Sequence, residues 1–312
     1  MGYSQWSDDA YKFLKRSRTG ASADDIFTNN RTRRASTRML PTGLKYRESR
    51  DSAEHPESLA VAVFLDETGS MGRIPEILVR EKLGALMNTL IGHGIADPQV
   101  LFGGIGDHHS DSFPLQVGQF ESGTAELDQW LTELYLEGNG GGQQRESYSL
   151  AWLVAARHTS CDCFEKRGQK GFLFTIGDEA AWDVLQADAL RPLLGYQEAS
   201  DLTDTQLLEE AQRAFHVFHI HVNEGSYRNN AQILGYWKKL LGERLIVLDD
   251  YNAIAETIAT AVALVHGVEL QDIVAGFDAA TARTVQQALG PVQQGLVRTK
   301  RPGGFLSGIF KL

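Results

Sequence analysis

The sequence predicts an α/β protein built on a doubly wound, mostly parallel six-stranded sheet with one antiparallel edge strand. Three observations predict it. Runs that are apolar at every position, such as LAVAVFL at 59–65, suit strands covered on both faces. Such runs alternate along the chain with segments of helical spacing. Two of them, LAVAVFLD and GFLFTIGD, end in an acid, at the edge where open α/β sheets place their ligands.

Taken in order, residues 1–56 are rich in Ser, Thr, Asn and Arg, with RTRRASTR at 31–38 and KYRESRDS at 45–52. Nothing periodic stands out there beyond a short stretch around Tyr11 to Leu14, so they read as a basic extension. The run from Leu59 to Asp66 is the central strand. IPEILVREKLGALMNTLI, 74–91, follows as one crossover helix, stopped by Gly92 and Gly94. VLFGGIGD at 100–107 is a second buried strand, and FPLQVGQF at 113–120 alternates like an antiparallel edge strand. Helices are expected at Ala125 to Leu136 and, after the loop GNGGGQQR, at Glu146 to His158. GFLFTIGD (171–178), HVFHIHV (216–222) and RLIVLDD (244–250) supply three more strands, with helices at 228–241 and 251–265. The main domain therefore runs from 57 to 268. Residues 269–312 form a tail, helical from Asp278 to Leu289 and ending in KRPGGFLSGIFKL, whose Phe305, Leu306, Ile309 and Phe310 pack on their own domain or on a partner.

Composition limits the function classes. The 312 residues, 42% hydrophobic and 22% charged, are ordinary for a globular chain with a substantial core. Net charge is −10, but residues 1–50 carry 11 Lys and Arg against 5 Asp and Glu, a formal +6, which leaves −16 on the remaining 262. A basic arm thus precedes an acidic body and is expected to fold back on it. The acidic body argues against nucleic-acid binding, and RTRRASTR has no interleaved aromatic residues for stacking. Only two cysteines occur, Cys161 and Cys163, too few for a disulfide framework, so a reducing, cytoplasmic setting is expected. The longest late apolar stretch, Ile258 to Val268, is too short to span a bilayer, and no membrane association is expected.

The chemistry gathers after the first strand. Asp66, Thr68 and Ser70 place one carboxylate and two hydroxyls on a single tight loop, oxygens that suit a hard cation such as Mg²⁺. Thr and Ser at that place would also cap the following helix. Two further loops, GGGQQRES at 140–147 and TIGDE at 175–179, fall at the same edge of the sheet. With these residues the chain resembles the von Willebrand factor A (vWA) domain over roughly 57–268, and its DETGSMG, GGG followed by Glu146, and GDHHSD at 106–111 are similar to the branch of α-kinase-like and hemicentin-like proteins.

The resemblance implies a metal-ion-dependent adhesion site (MIDAS) with Asp66, Thr68, Ser70 and Asp178 as ligands of Mg²⁺ or Mn²⁺. Gln143 stands where the family uses Thr or Asp and departs from the pattern, offering a neutral carbonyl oxygen on a longer arm. It also implies a protein-binding function, in which a partner's acidic residue completes the coordination, inside multi-protein assemblies that include an ATPase or kinase.

Other constellations read more plainly. Strand alternation puts His219 and His221 on one face and His216 on the other, so three ligands on one ion are not expected, and hydrogen-bonded sheet histidines are. His108 and His109, between Asp107 and Asp111, form a polar turn or touch a second ion. Cys161 and Cys163 read as free thiols at a helix end. No dinucleotide fingerprint, phosphate loop or G-x-S-x-G elbow occurs. A haloacid-dehalogenase-like phosphotransferase would need an Asp where Thr68 stands, which removes its proton donor. A non-enzymatic binding module is therefore expected, with a Mg²⁺-dependent phosphohydrolase and a structural subunit with a vestigial site as the alternatives.

Overall fold

The computed structural model describes residues 4–67, 69, 71, 73–138, 144–195, 200–224 and 227–300. Six strands form the main sheet: β1, Ser58–Asp66; β2, Asp97–Ile105; β3, Leu115–Val117; β4, Gly171–Gly177; β5, Phe215–Val222; and β6, Leu245–Leu248. Their order is β6-β5-β4-β1-β2-β3, all parallel except β3, which runs antiparallel to β2. β1 is buried along its whole length, as its unbroken apolar run requires. From β1 the chain winds outward through β2 and β3, then returns to β4 on the other side of β1. The switch point of the sheet therefore lies between the C-terminal ends of β1 and β4.

The described helices include α1, Asp8–Ser17; α2, Leu83–Gly92; α3, Thr124–Thr132; α4, Ser149–Arg157; α5, Asp204–Ala211; α6, Ala231–Leu241; α7, Ile254–Val265; and α8, Ala279–Lys300. They cover both faces of the sheet. On β5, His219 stacks on Trp237 of α6, while on the other face Phe172 of β4 lies between His216 and His266, just past α7. No described helix is long and apolar enough to cross a membrane.

Four local expectations are corrected. The helix at 74–91 is three pieces: Arg73–Ile77, a π-helical turn Leu78–Lys82, and α2. Lys82, at the end of the wide turn, meets Glu256 of α7 at 2.7 Å. α3 stops at Thr132 instead of Leu136, because the Gln116 side chain bonds both backbone groups of Tyr135, at 3.0 and 2.8 Å, in place of helical partners. α4 starts at Ser149 and not at Glu146, because Arg145–Glu146 pairs in parallel with Ala180–Ala181. The tail helix does not end at Leu289 ahead of Gly290 and Pro291. It continues through Pro291, with Val285, Leu289 and Val292 buried on the same helix. Residues 301–312, with Phe305, Leu306, Ile309 and Phe310, lie outside the described residues.

The basic extension holds more structure than its composition suggested. α1 is a full helix, capped by the Ser7 side chain and buried at Tyr11. Phe27 and Met39 are fully buried, each worth roughly 1.5–3 kcal/mol relative to exposure. Arg47–Ser49 adds a short parallel strand to Thr159–Cys161. Ion pairs then line the seam: Arg18 with Asp128, Arg38 with Glu133 at 2.5 Å, Arg50 with Asp162 at 2.9 Å, and Arg167 with Asp51 at 2.7 Å.

Candidate metal centre

Asp66 is the last residue of β1 and Asp178 the first after β4, and these strands are hydrogen-bonded neighbours, with Leu65 opposite Ile176. Both carboxylates are buried. The Asp66 carboxylate reaches across to the end of β4, since a Cβ on Gly177, the residue before Asp178, would stand 2.7 Å from Asp66 Oδ2. Thr68, Ser70 and Gln143 lie outside the described residues. Their loops are nonetheless tied to one another by backbone on either side. Gly138 donates its N–H to the Glu67 carbonyl at 3.2 Å, and a Cβ on Gly69 would meet the Gly138 oxygen at 2.9 Å, so the first loop lies against the approach to the second. The pairing of Arg145–Glu146 with Ala180–Ala181 joins the second loop to the third.

Three more carboxylates crowd this edge, and sequence reasoning gave them no site role. Glu146 is buried, its Oε2 has no hydrogen-bond partner among the described residues, and burial followed by the charges of Asp66 and Glu179 pushes its pKa up to about 11. Burial, Asp66 and Asp178 raise Glu179 to about 7. Glu67 accepts from Gln116 Nε2 at 2.6 Å on one oxygen, while burial drives its pKa well above the carboxylate range. The available signal was adjacency: Glu67 and Glu179 each follow a strand-end Asp, and Glu146 closes the GGGQQRE loop.

Mutually repelling buried acids are what a bound cation relieves. Among the described residues no three His, Cys, Asp or Glu side chains form a metal cage. Two strand-end carboxylates are donors of the kind a small hard cation takes, its other positions being filled by hydroxyls and water.

Tyr148, just ahead of α4, was also missed. Its hydroxyl donates to Asp66 Oδ2 at 2.7 Å, and burial with the charges of Asp66, Glu146 and Asp178 keeps the phenol protonated far above its ordinary pKa.

The remaining candidates resolve into packing. His108 is bonded through Nδ1 to Ser147 at 2.7 Å and through Nε2 to Gln186 at 2.8 Å, and Asp107 accepts from Trp182 Nε1 at 2.9 Å, which makes GDHHSD a hydrogen-bonded turn. His219 Nδ1 lies 2.9 Å from Thr175 Oγ1. His221 departs from the hydrogen-bonded expectation: neither ring nitrogen has a partner among the described residues, and burial lowers its pKa to about 4, so the ring stays neutral. Cys161 and Cys163 are buried free thiols, with Cys161 at the start of the short helix Asp162–Glu165.

No family model and no curated protein sequence matches the chain. Among solved structures it is similar to the pilus adhesin SpaC from Lactobacillus rhamnosus GG in its open conformation, at 9% identity and a TM-score of 0.43 over 70% of this chain and 31% of that one. It is also similar to proximal thread matrix protein 1 from the mussel byssus with a zinc-occupied MIDAS motif, at 10% identity and a TM-score of 0.40 over 72% of this chain and 47% of that one. The chain thus spans about a third of the adhesin and about half of the matrix protein. At such scores neither likeness bears on function, which has to be read from this chain's own residues.

Proposed function

We propose that the chain is a metal-ion-dependent protein-binding module of the vWA type, in which Asp66 and Asp178, with the hydroxyls of Thr68 and Ser70, hold one Mg²⁺ or Mn²⁺. The observation that carries this reading is the placing of two buried carboxylates at the neighbouring C-terminal ends of β1 and β4, at the switch point of the sheet. Gln143 takes a lesser share, through water, because its neutral carbonyl sits on a longer arm than the family's Thr or Asp.

When bound, the ion supplies an electrophilic position for one more anionic oxygen. The chain's own residues set that position up: two carboxylates balance the ion formally, and neutral hydroxyls leave it short of donor charge. The partner is therefore a protein that presents an Asp or Glu; the resemblance to the vWA family alone adds a multi-protein assembly with an ATPase or kinase. Binding is favoured over phosphoryl chemistry because Thr68 cannot act as a general acid. The two free thiols fit a cytoplasmic setting.

Capture from a native extract with Mg²⁺ and with chelator, run beside calorimetric ion titration, tests the reading. Thr68→Asp adds a third carboxylate, so the ion should bind at least as well while capture falls. Capture that persists unchanged in chelator, or wild-type protein that takes up no divalent ion at millimolar concentration, overturns it.

A further inference from the structure

The run RTRRASTR at 31–38 uses only half of its arginines in ion pairs among the described residues. Arg31 pairs with Asp25 and Arg38 with Glu133, while Arg33 and Arg34 stand exposed where the chain leaves the short helix Thr28–Thr32, Arg33 taking the left-handed region at φ 53°. Ser36 follows, partly buried, in a stretch without helix or strand. Its hydroxyl donates to Glu133 Oε2 at 2.8 Å. Between Arg31 and Arg38 only Ala35 is buried, so this stretch can lift locally while Phe27 and Met39 keep their places in the core.

We propose that Ser36 is a phosphorylation site for a basic-directed Ser/Thr kinase, and that its phosphate releases the arm from the body. Kinases of that class read positive charge just ahead of the hydroxyl with carboxylates of their own. Arg33 and Arg34 fall three and two residues before Ser36, a pair that neither Thr32 nor Thr37 has at those places. In the transfer, Ser36 Oγ bonds to the γ-phosphorus of ATP and the bond from that phosphorus to the β-phosphate oxygen breaks. ADP leaves, and the hydroxyl proton passes to the kinase's catalytic carboxylate. The new group then meets unfavourable surroundings. Glu133 is the C-cap of α3, so a phosphate on Ser36 faces both a carboxylate and the negative end of a helix, and the donor that joined Ser36 to Glu133 is gone. Arg38 offers little relief, since it is held between Glu133 Oε1 at 2.5 Å and the Trp130 ring at 4.3 Å.

The test treats the purified full chain with a basic-directed kinase and ATP, maps the modified residue by mass spectrometry, and times chymotrypsin cleavage after the buried Phe27 before and after. Phosphate should appear on Ser36, and cleavage should then run about tenfold faster, the worth of one lost hydrogen bond to a charged group. High salt should shrink that gain. Ser36→Ala should abolish the kinase-dependent gain. Glu133→Gln removes the facing charge, so phosphorylation should speed its cleavage less than it speeds wild type, each protein being compared with its own unmodified form. A full chain that takes up no phosphate on Ser36 overturns the site. Cleavage of the Ser36-phosphorylated protein that is unchanged or slower overturns the release, and a gain that ignores salt and is equal in Glu133→Gln overturns repulsion as its cause.

Discussion

The molecule handles buried carboxylates in two opposite ways. Along the seam with the N-terminal arm, Asp128, Glu133, Asp162 and Asp51 each have a basic partner. Burial would raise Asp162, but hydrogen bonds from Lys166, the Asp51 N–H and Arg50 outweigh it and bring its pKa to about 2. Arg167 and Ser58 overcome burial in the same way to lower Asp51. At the C-terminal edge of the sheet, Glu67, Glu146 and Glu179 are instead raised, by burial and by one another's neighbours Asp66 and Asp178. The seam is neutralised by the chain itself. At the edge, among the described residues, the chain supplies no such basic partners to these three glutamates, the arrangement that the proposed function assigns to a bound cation.

The largest expected effect breaks the seam. Arg18 and Asp128 are both largely buried, so Arg18→Ala strands a carboxylate and should cost about 3 kcal/mol in urea unfolding. Faster proteolysis of the arm should accompany it, and an unchanged midpoint would show that burial alone holds the arm.

Next in size is the contrast at the other edge. Mg²⁺ or Mn²⁺ at about a hundred times its dissociation constant should stabilise the wild type by about 2.7 kcal/mol. Asp66→Ala should remove that response while leaving the ion-free arm seam intact, as read by unfolding with and without the ion.

A third effect lies between the two regions, in the sheet. Burial, then Arg244 and Lys170, lower the His216 pKa to about 3, so the folded protein refuses a proton that the unfolded chain accepts near 6.5. Stability is then present above that value and declines as pH falls through it toward 3, by about 2 kcal/mol between pH 7 and 5 for this one group. His216→Gln should flatten that part of the profile. The arm seam should weaken only at lower pH, below about 4, where Asp162 and Asp51 take up protons in the unfolded chain while their lowered values in the folded one still refuse them.

The smallest effect is a control. Lys12 and Asp8 pair at 2.7 Å on the outside of α1 with both ends in solvent, so Lys12→Ala should leave the unfolding midpoint where it is. A clear shift there would mean that charge outweighs burial in holding the arm.

Much of this was legible because it is local. LAVAVFLD announces a buried strand by being apolar at every position before its acid, GFLFTIGD does so with Thr175 as its one polar side chain, and the closing acids fall at the strand ends without further argument. Element ends were less legible where a distant side chain replaces a helical bond, as Gln116 does for Tyr135. Of α1 only the stretch around Tyr11 to Leu14 stood out, because its apolar face is short and its buried anchor, Tyr11, gains meaning only against the body of the protein.

The sequence by itself determined the alternation of strands and helices, the order in which they wind, and the two strand-end carboxylates, since each depends on residues adjacent in the chain. Only the tertiary structure decided which charges meet. Tyr148 reaches Asp66 across 82 positions, Arg18 reaches Asp128 across 110, and Glu146 enters the field of Asp66 because a two-residue strand pairs there instead of opening a helix. Electrostatics acts through space with a strength set by burial, and periodicity along a chain carries no record of either.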